Sequence, residues 1–260
     1  MLLGLTIYVF GTRYLPPDST VPRRQEARPD PASHAATDLR KTVLVLGAIG
    51  LTVMLFRGAY EQVGNTIALW ADSAVDRIVA SDLSIPMTWF QALNPLLVIL
   101  LTPLLVAHWT RQAVKGREPA PARKMSCGAL GVAAAYLLLA AVSGASGAAQ
   151  VSWLWLALFF LILTAGELFI LPVGLGLFAR LAPEGYGATT IAAWFFAAFG
   201  GNLLAGARGM LWSLIAHAAY FALMALVAAS AGLALWLLDR PAGQLQKAHV
   251  ADPDKSVAGQ

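Results

Sequence analysis

The sequence predicts an all-α integral membrane protein, and three observations support this prediction. Of its 260 residues, 58% are hydrophobic and only 12% are charged, whereas soluble domains carry about 25% charged residues. Long uncharged stretches recur along the chain, and each approaches the ~20 residues that cross a bilayer as a helix. Glycine and alanine are abundant, which suits close helix packing in lipid. This composition excludes a soluble enzyme, and we expect the protein to have no catalytic site.

The first 41 residues divide into two unlike parts. Residues 1–11 are apolar but too short to span a bilayer alone. We interpret them as the end of a transmembrane helix that begins outside this chain, and whether Met1 is a true start stays open. Residues 12–41 are rich in proline and arginine, a composition that cannot bury much apolar surface. They are predicted to form a solvated linker.

Hydrophobic stretches after the linker predict a six-helix transmembrane bundle over residues 42–238. The remaining residues, 239–260, are polar and poor in aromatic side chains, so we expect a disordered tail. The predicted spans lie at about 42–71, 88–111, 125–143, 152–180, 186–207 and 211–238.

Lysine and arginine residues predict how the bundle is oriented. They are concentrated in the linker and in the connection between the second and third spans, with Arg180 and the tail residues on the same side. Connections of this kind stay in the cytoplasm. We therefore expect a multi-pass membrane protein with both chain ends cytoplasmic.

Two charged residues in the first predicted span are candidates for function. Arg57 and Glu61 are four residues apart, a spacing that allows an ion pair along one face of a helix. One interpretation is a pair that only neutralises both charges in the bilayer. The other is a functional pair, which we favour because ionisable groups at membrane depth usually face cavities or pathways.

Glu167 is a second candidate because it lies near the middle of the fourth predicted span. No basic residue lies within two helical turns of it along the sequence. A carboxyl group in this position needs either a cavity or a bound proton, which would suit proton coupling. A purely structural role is the alternative.

Helix-breaking residues predict a polar cavity beside Glu167. Asn94 precedes Pro95 in the second span, and Pro172 follows Glu167 in the fourth. Bent spans with polar groups at mid-depth are typical of transporter binding sites, whereas kinks compensated by neighbouring helices are the alternative. Side chains that could line such a cavity are Gln91, Asn94 and Trp194. The sequence offers no set of metal ligands.

Four segments resemble motifs of the proton-dependent oligopeptide transporters, a family of the major facilitator superfamily. In chain order they read FRGAYEQVGNT at 56–66, FQALNPL at 90–96, GELFILPVGL at 166–175 and WFFAAFGGNLLAG at 194–206. They are similar to parts of helices seven, eight, ten and eleven of that family. The resemblance places this chain at the end of helix six plus helices seven to twelve, the carboxy-terminal half.

The resemblance implies a fold and a function. The family fold has two six-helix bundles around a central site, and its members import di- and tripeptides with protons as the coupling ion and no other cofactor. By this resemblance, Glu167 faces the amino end of the peptide, Asn94 contacts the peptide and Trp194 forms an aromatic wall. Glu61 takes part in proton coupling beside Arg57, which stands where many members have tryptophan.

The expected partners are small peptides, the lipid bilayer and an amino-terminal six-helix half that supplies the cations for the peptide carboxylate. Nucleic acid is not expected as a partner. Two other functions stay open. The chain could be a membrane fragment or subunit without transport, or a facilitator-type transporter of another solute, such as a drug or an amino acid.

Overall fold

The computed structural model describes residues 32–80, 83–147, 149–183 and 185–251. Residues 1–11 and most of the predicted linker lie outside these ranges. Within them, six helical segments are long and apolar enough to cross a membrane, which confirms the predicted all-α membrane bundle. These segments are Leu39–Ala74, Met87–Val114, Pro121–Ser146, Trp153–Arg180, Gly187–Ser213 and His217–Leu237.

The chain forms eight α-helices, two 3₁₀ turns and four very short strands over the described residues. The helices are α1 (Ala32–Tyr60), α2 (Thr66–Ala74), α3 (Met87–Val114), α4 (Pro121–Ser146), α5 (Trp153–Arg180), α6 (Gly187–Gly209), α7 (His217–Leu237) and α8 (Asp239–Ala251). The 3₁₀ turns are Glu61–Gly64 and Met210–Ser213, and the strands are β1 (Val75–Asp76), β2 (Ile78–Ala80), β3 (Leu83–Ser84) and β4 (Val151–Ser152).

The first membrane span changes its helix type part-way along its length. Helix α1 ends at Tyr60, the turn Glu61–Gly64 is 3₁₀, and α2 resumes at Thr66. A stretch of 3₁₀ helix within a span often marks a hinge. By contrast, helix assignment continues through Pro95 in α3 and through Pro172 in α5.

The structure differs from the sequence prediction at both ends of the bundle. Helix α1 begins at Ala32, so the last ten residues of the predicted linker are helical. Residues 239–251 form α8, where a disordered tail was expected. Two tertiary contacts explain this helix. The Asp239 carboxylate forms an ion pair with the Arg123 guanidinium at 3.0 Å, and Ala242 is buried.

Helix α4 packs most extensively against α7 and α5, while α1 packs against α6 and α7. The α4–α5 crossing is tight because two glycines face each other. A Cβ atom on Gly128 would lie 2.5 Å from the carbonyl oxygen of Gly166, and one on Gly166 would lie 2.6 Å from that of Gly128. Small residues permit this kind of close approach between membrane helices.

The two ends of the bundle carry different structures. At one end, β1 pairs in parallel with β4, and β2 pairs antiparallel with β3. At the other end, the Arg123–Asp239 pair joins the start of α4 to the start of α8. We call this second end the basic end, because lysine and arginine residues cluster in the α3–α4 connection.

Helices α3 and α6 leave large apolar side chains exposed. In α3, Phe90 is the buried member of the helix, whereas Ile99 and Leu104 are about 70% exposed. In α6, Phe196 and Leu203 are similarly exposed. Apolar surface of this extent suits contact with lipid or with other membrane helices rather than with water.

Candidate functional site

The two polar residues predicted near the bundle midplane contact each other directly. Asn94 of α3 donates a hydrogen bond from Nδ2 to Oε2 of Glu167 in α5, at 3.0 Å. The same nitrogen donates to the hydroxyl oxygen of Tyr60 in α1, at 3.2 Å. Three helices thus converge on one polar cluster, which we call the Glu167 cluster and define as Tyr60, Asn94 and Glu167.

Neighbouring helices fix the position of Glu167. It is the fifteenth residue of the 28-residue helix α5, close to its middle. Gly166, the residue before it, sits in the tight crossing with Gly128 of α4. This crossing sets the depth of the carboxylate, while the half-buried Glu167 and Asn94 side chains remain partly accessible.

The Glu167 carboxylate has an amide donor but no cationic partner in the part of the chain that the structure describes. The ion pairs there join Arg57 to Glu61, Arg77 to Asp72, Arg123 to Asp239 and Lys124 to Glu118. A carboxylate that is held at membrane depth and partly accessible is suited to receive a cationic group. The cluster therefore has the chemistry of an ammonium-binding site.

Arg57 and Glu61 form the predicted ion pair along the first span. Arg57 lies in α1, and Glu61 is the first residue of the 3₁₀ turn. Their side chains are 18% and 31% exposed, so the pair is only partly shielded. The Nε atom of Arg57 is buried without a hydrogen-bond partner among the described residues. The guanidinium thus keeps one donor beyond those used for Glu61.

A buried hydrogen-bond network holds the turn that follows α1. Gln62 is fully buried and donates to the carbonyl oxygens of Gly58 at 3.2 Å and Ala205 at 2.8 Å. Thr66 donates to the Gln62 side-chain oxygen at 3.2 Å. The hydroxyl of Tyr136 in α4 donates to the carbonyl oxygen of Ala59 at 2.7 Å. The turn is therefore anchored to both α4 and α6.

Trp194 and Gln91 make no hydrogen bond to the Glu167 cluster among the described residues. Trp194 of α6 is buried against Phe178, with ring centroids 5.2 Å apart, and it occupies the space where Gly174 lacks a side chain. Gly174 is seven residues beyond Glu167, which corresponds to ~10 Å along an α-helix. Gln91 is exposed in α3, nearly one turn before Asn94. The sequence prediction that these two residues share a site with Glu167 stays a prediction.

Sequence reasoning assigned no role to Tyr60 or Gln62. Both lie inside the segment 56–66, in which the charged residues Arg57 and Glu61 were the predicted functional residues. A tyrosine and a glutamine in an otherwise apolar span are themselves a signal, because buried polar groups need partners. Their partners outside the first span come from α3 and α6, which no local pattern connects to α1.

Comparison with known proteins identifies the family of this chain. A profile described as the POT family matches residues 24–223 of the chain. This chain belongs to the POT family. The membership confirms the resemblance drawn from the four motifs.

Two bacterial relatives illustrate the similarity. The peptide transporter YePEPT of Yersinia enterocolitica is 35% identical over 173 residues, which cover 65% of this chain and 34% of that protein. A di-/tripeptide transporter of Lactococcus lactis subsp. cremoris is 28% identical over 211 residues, covering 79% of this chain and 42% of that protein. The matched segments thus cover less than half the length of these POT relatives.

Solved POT structures share the fold. A crystal structure of a peptide transporter POT in complex with sulfate aligns with 94% of this chain and 47% of its own, at a TM-score of 0.75 and 24% identity. A POT family transporter in complex with a thioalcohol conjugated peptide aligns with 93% of this chain and 52% of its own, at a TM-score of 0.73 and 21% identity. The six membrane spans therefore form the same bundle as part of a POT transporter.

Proposed function

We propose that this chain forms the carboxy-terminal six-helix half of a proton-coupled symporter of di- and tripeptides, and that it is not an enzyme. The observation that carries the proposal is the Glu167 carboxylate, held near the middle of α5 by Asn94 and lacking a cationic partner among the described residues. A peptide ammonium group supplies the missing charge. The names of the relatives, a peptide transporter and a di-/tripeptide transporter, support this substrate class.

The spacing between Glu167 and Trp194 suits a short peptide. An extended chain advances by at most ~3.6 Å per residue, so a tripeptide covers about the ~10 Å of helix between Glu167 and Gly174, against which Trp194 packs. A peptide with its amino end at Glu167 and its axis along α5 would bring its last side chain to the Trp194 wall. Gln91 lies on the other side of Asn94 and would line the entrance.

An amino-terminal six-helix half is the proposed partner. Exposed apolar side chains on α3 and α6 provide surface for it, and the relatives are more than twice as long as the segments that match this chain. Arg57 is already engaged with Glu61. The cation for the peptide carboxylate would then come from the other half, and the two bundles would rock around the site between them.

Basic residues support the proposed orientation in the bacterial inner membrane. The α3–α4 connection holds Lys115 and Arg117, and Arg123 at the start of α4 pairs with Asp239 at the start of α8. Because connections rich in lysine and arginine stay in the cytoplasm, this end would face the cytoplasm together with both chain ends.

Uptake of labelled dialanine into liposomes tests the function. The chain is reconstituted with an inward proton gradient, alone and with a co-expressed amino-terminal six-helix half of the POT family. We expect accumulation only with both halves, and unlabelled dipeptide should compete for it. Uptake by the chain alone would contradict the two-half site, whereas uptake of amino acids or drugs without competition by dipeptides would identify another transported solute. No uptake in any arrangement would indicate a fragment or subunit without transport.

Glu61→Gln should separate proton coupling from peptide movement. Glutamine keeps hydrogen-bonding groups but cannot bind and release a proton. We expect proton-driven accumulation of dialanine to fall by about tenfold, the effect of a coupling energy near 1.4 kcal/mol, while exchange of dialanine without a gradient continues. Both rates are measured in the same liposomes.

Glu118→Gln is the matched control for this measurement. It makes the same chemical change in an ion pair with Lys124 at the basic end. We expect it to leave both rates unchanged. If Glu61→Gln also leaves accumulation unchanged, the Arg57–Glu61 pair is structural only.

A further inference from the structure

Tyr60 occupies a position that is shared by the two candidate sites. Its hydroxyl oxygen accepts a hydrogen bond from Nδ2 of Asn94, which also donates to Glu167. A side-chain amide nitrogen carries only two hydrogens, so these two bonds use both of them. The hydroxyl hydrogen of Tyr60 is then available for the Glu167 carboxylate, with which Tyr60 interacts electrostatically. The tyrosine ring thus belongs to the ammonium-binding cluster.

The backbone of Tyr60 belongs to the other site. Tyr60 is the last residue of α1, and Glu61 opens the 3₁₀ turn directly after it. Arg57 of α1 pairs with Glu61, and the phenols of Tyr60 and, from α4, Tyr136 interact with it electrostatically. Arg208 of α6 lies against Gly58, about one turn before Glu61. A backbone movement at Glu61 therefore also moves Tyr60, the residue that contacts Asn94.

Hydrogen bonds on both sides of Tyr60 restrict how its segment of backbone can rearrange. On one side, the Ala59 carbonyl is bonded to Tyr136 of α4. On the other, Gln62 is bonded to the Ala205 carbonyl of α6. Between these anchors, the backbone changes from α to 3₁₀ hydrogen bonding, where repacking of a turn is common. The backbone between these two anchors consists of Tyr60 and Glu61.

We propose that Tyr60 is the positioning residue that links the charge of Glu61 to the geometry of the Asn94–Glu167 pair. The inference deepens the proposed function and rests on it. Loss of the Glu61 charge ends its attraction to Arg57 across one helical turn, and the turn relaxes. The Tyr60 hydroxyl then shifts against Asn94, which changes how the Glu167 carboxylate is held for a peptide ammonium group.

Infrared difference spectroscopy on the purified chain tests the link without any transport. The carboxylate band of Glu167 is identified by its loss in Glu167→Gln, measured separately in each background. We expect Glu61→Gln to shift this band in the wild-type background and to leave it in place in the Tyr60→Phe background. An unshifted band in the wild-type background, or an equal shift in both backgrounds, would overturn the link.

Transport by the chain with its co-expressed amino-terminal half gives the second readout. Tyr60→Phe should lower proton-driven accumulation of dialanine by about fivefold or more, the lower bound of typical coupling between sites. Because Tyr60 acts through the Glu61 charge, the double variant Tyr60→Phe/Glu61→Gln should accumulate no less than Glu61→Gln alone. If the losses of the two single variants add in the double variant, Tyr60 acts at Glu167 independently of the Glu61 charge, and the proposed link between Glu61 and Glu167 is overturned.

Tyr136→Phe is the matched control in both experiments. It removes one buried tyrosine hydroxyl that contacts the same segment, at the neighbouring residue Ala59, without touching Asn94 or Glu167. We expect it to keep the infrared shift and to lower coupling by less than Tyr60→Phe, because it removes one anchor of the segment but leaves the Tyr60–Asn94 contact in place. A loss as large as that of Tyr60→Phe would mean that general loosening of α1 explains the effect, which would overturn the link. Failure of the wild type to transport dialanine would overturn the proposed function, and the infrared shift would still decide the link.

Discussion

Glu167→Gln, in the chain paired with its amino-terminal half, should weaken dialanine binding by about 10- to 100-fold. A hydrogen bond to a charged group contributes about 1.5–3 kcal/mol, and each 1.4 kcal/mol corresponds to a factor of ten. Glutamine still accepts from Asn94, so the cluster keeps its shape, but it offers no negative charge to an ammonium group. Binding is measured as the concentration of unlabelled dialanine that halves exchange of the labelled peptide.

N-acetyl-dialanine is the control for this prediction, because it keeps the peptide backbone and carboxylate but has no ammonium group. Wild type should bind it much more weakly than dialanine, and Glu167→Gln should bind the two with similar affinity. If the variant loses both peptides by the same factor, then Glu167 supports the site without contacting the amino end.

The bundle could be predicted from the sequence because the bilayer imposes a simple rule on it. A span needs about twenty apolar residues and an internally bonded backbone, and both requirements are local. All six predicted spans match membrane-spanning helices of the structure within several residues. The family could likewise be identified from four short segments, since the charged and helix-breaking residues in them keep their order and spacing.

Contacts across helices could not be predicted in the same way. The pairing of Arg57 with Glu61 follows from i, i+4 spacing on one helix and is present in the structure. The bond from Asn94 to Glu167 joins residues 73 positions apart, and the bond to Tyr60 joins a third helix. Their meeting depends on how closely α4 and α5 pack, which is decided by a pair of glycines far apart in sequence.

At the ends of the bundle, too, local sequence did not predict structure that depends on tertiary contacts. Residues 239–251 belong to the segment predicted to be a disordered tail because it is polar, yet they form a helix, accompanied by an ion pair to Arg123 and the burial of Ala242. Likewise, no strands were predicted from the sequence, but Val75 after α2 pairs with Val151 before α5. Tertiary contacts of this kind override weak local preferences.

The glycine crossing leads to a second prediction with a large expected effect. Gly128→Ala should destabilise the bundle by about 1–3 kcal/mol, because the added methyl group would meet a backbone carbonyl that cannot rotate away. Its Cβ would lie 2.5 Å from the Gly166 oxygen and 2.7 Å from Cβ of Phe169. The measurement is the midpoint of thermal unfolding of the purified chain in detergent.

Gly131→Ala is the matched control, since it lies on the same helix and also faces Gly166. Its Cβ would come no closer than 3.6 Å to the Gly166 Cα, an ordinary contact, and alanine favours a helix over glycine by about 1 kcal/mol. We expect Gly131→Ala to unfold at or above the temperature of wild type. Equal destabilisation by both substitutions would mean that glycine flexibility in α4, rather than the close approach to α5, is what the bundle requires.

The same pair of variants connects packing to the site. Gly166 immediately precedes Glu167, so a methyl group on Gly128 must push α5 outward at the residue that sets the carboxylate position. The 3.0 Å bond from Asn94 to Glu167 has little room to lengthen before it is lost. Gly128→Ala should therefore weaken dialanine binding in the paired transporter, whereas Gly131→Ala should preserve it. Full affinity in Gly128→Ala would show that α3 follows α5 when the crossing widens.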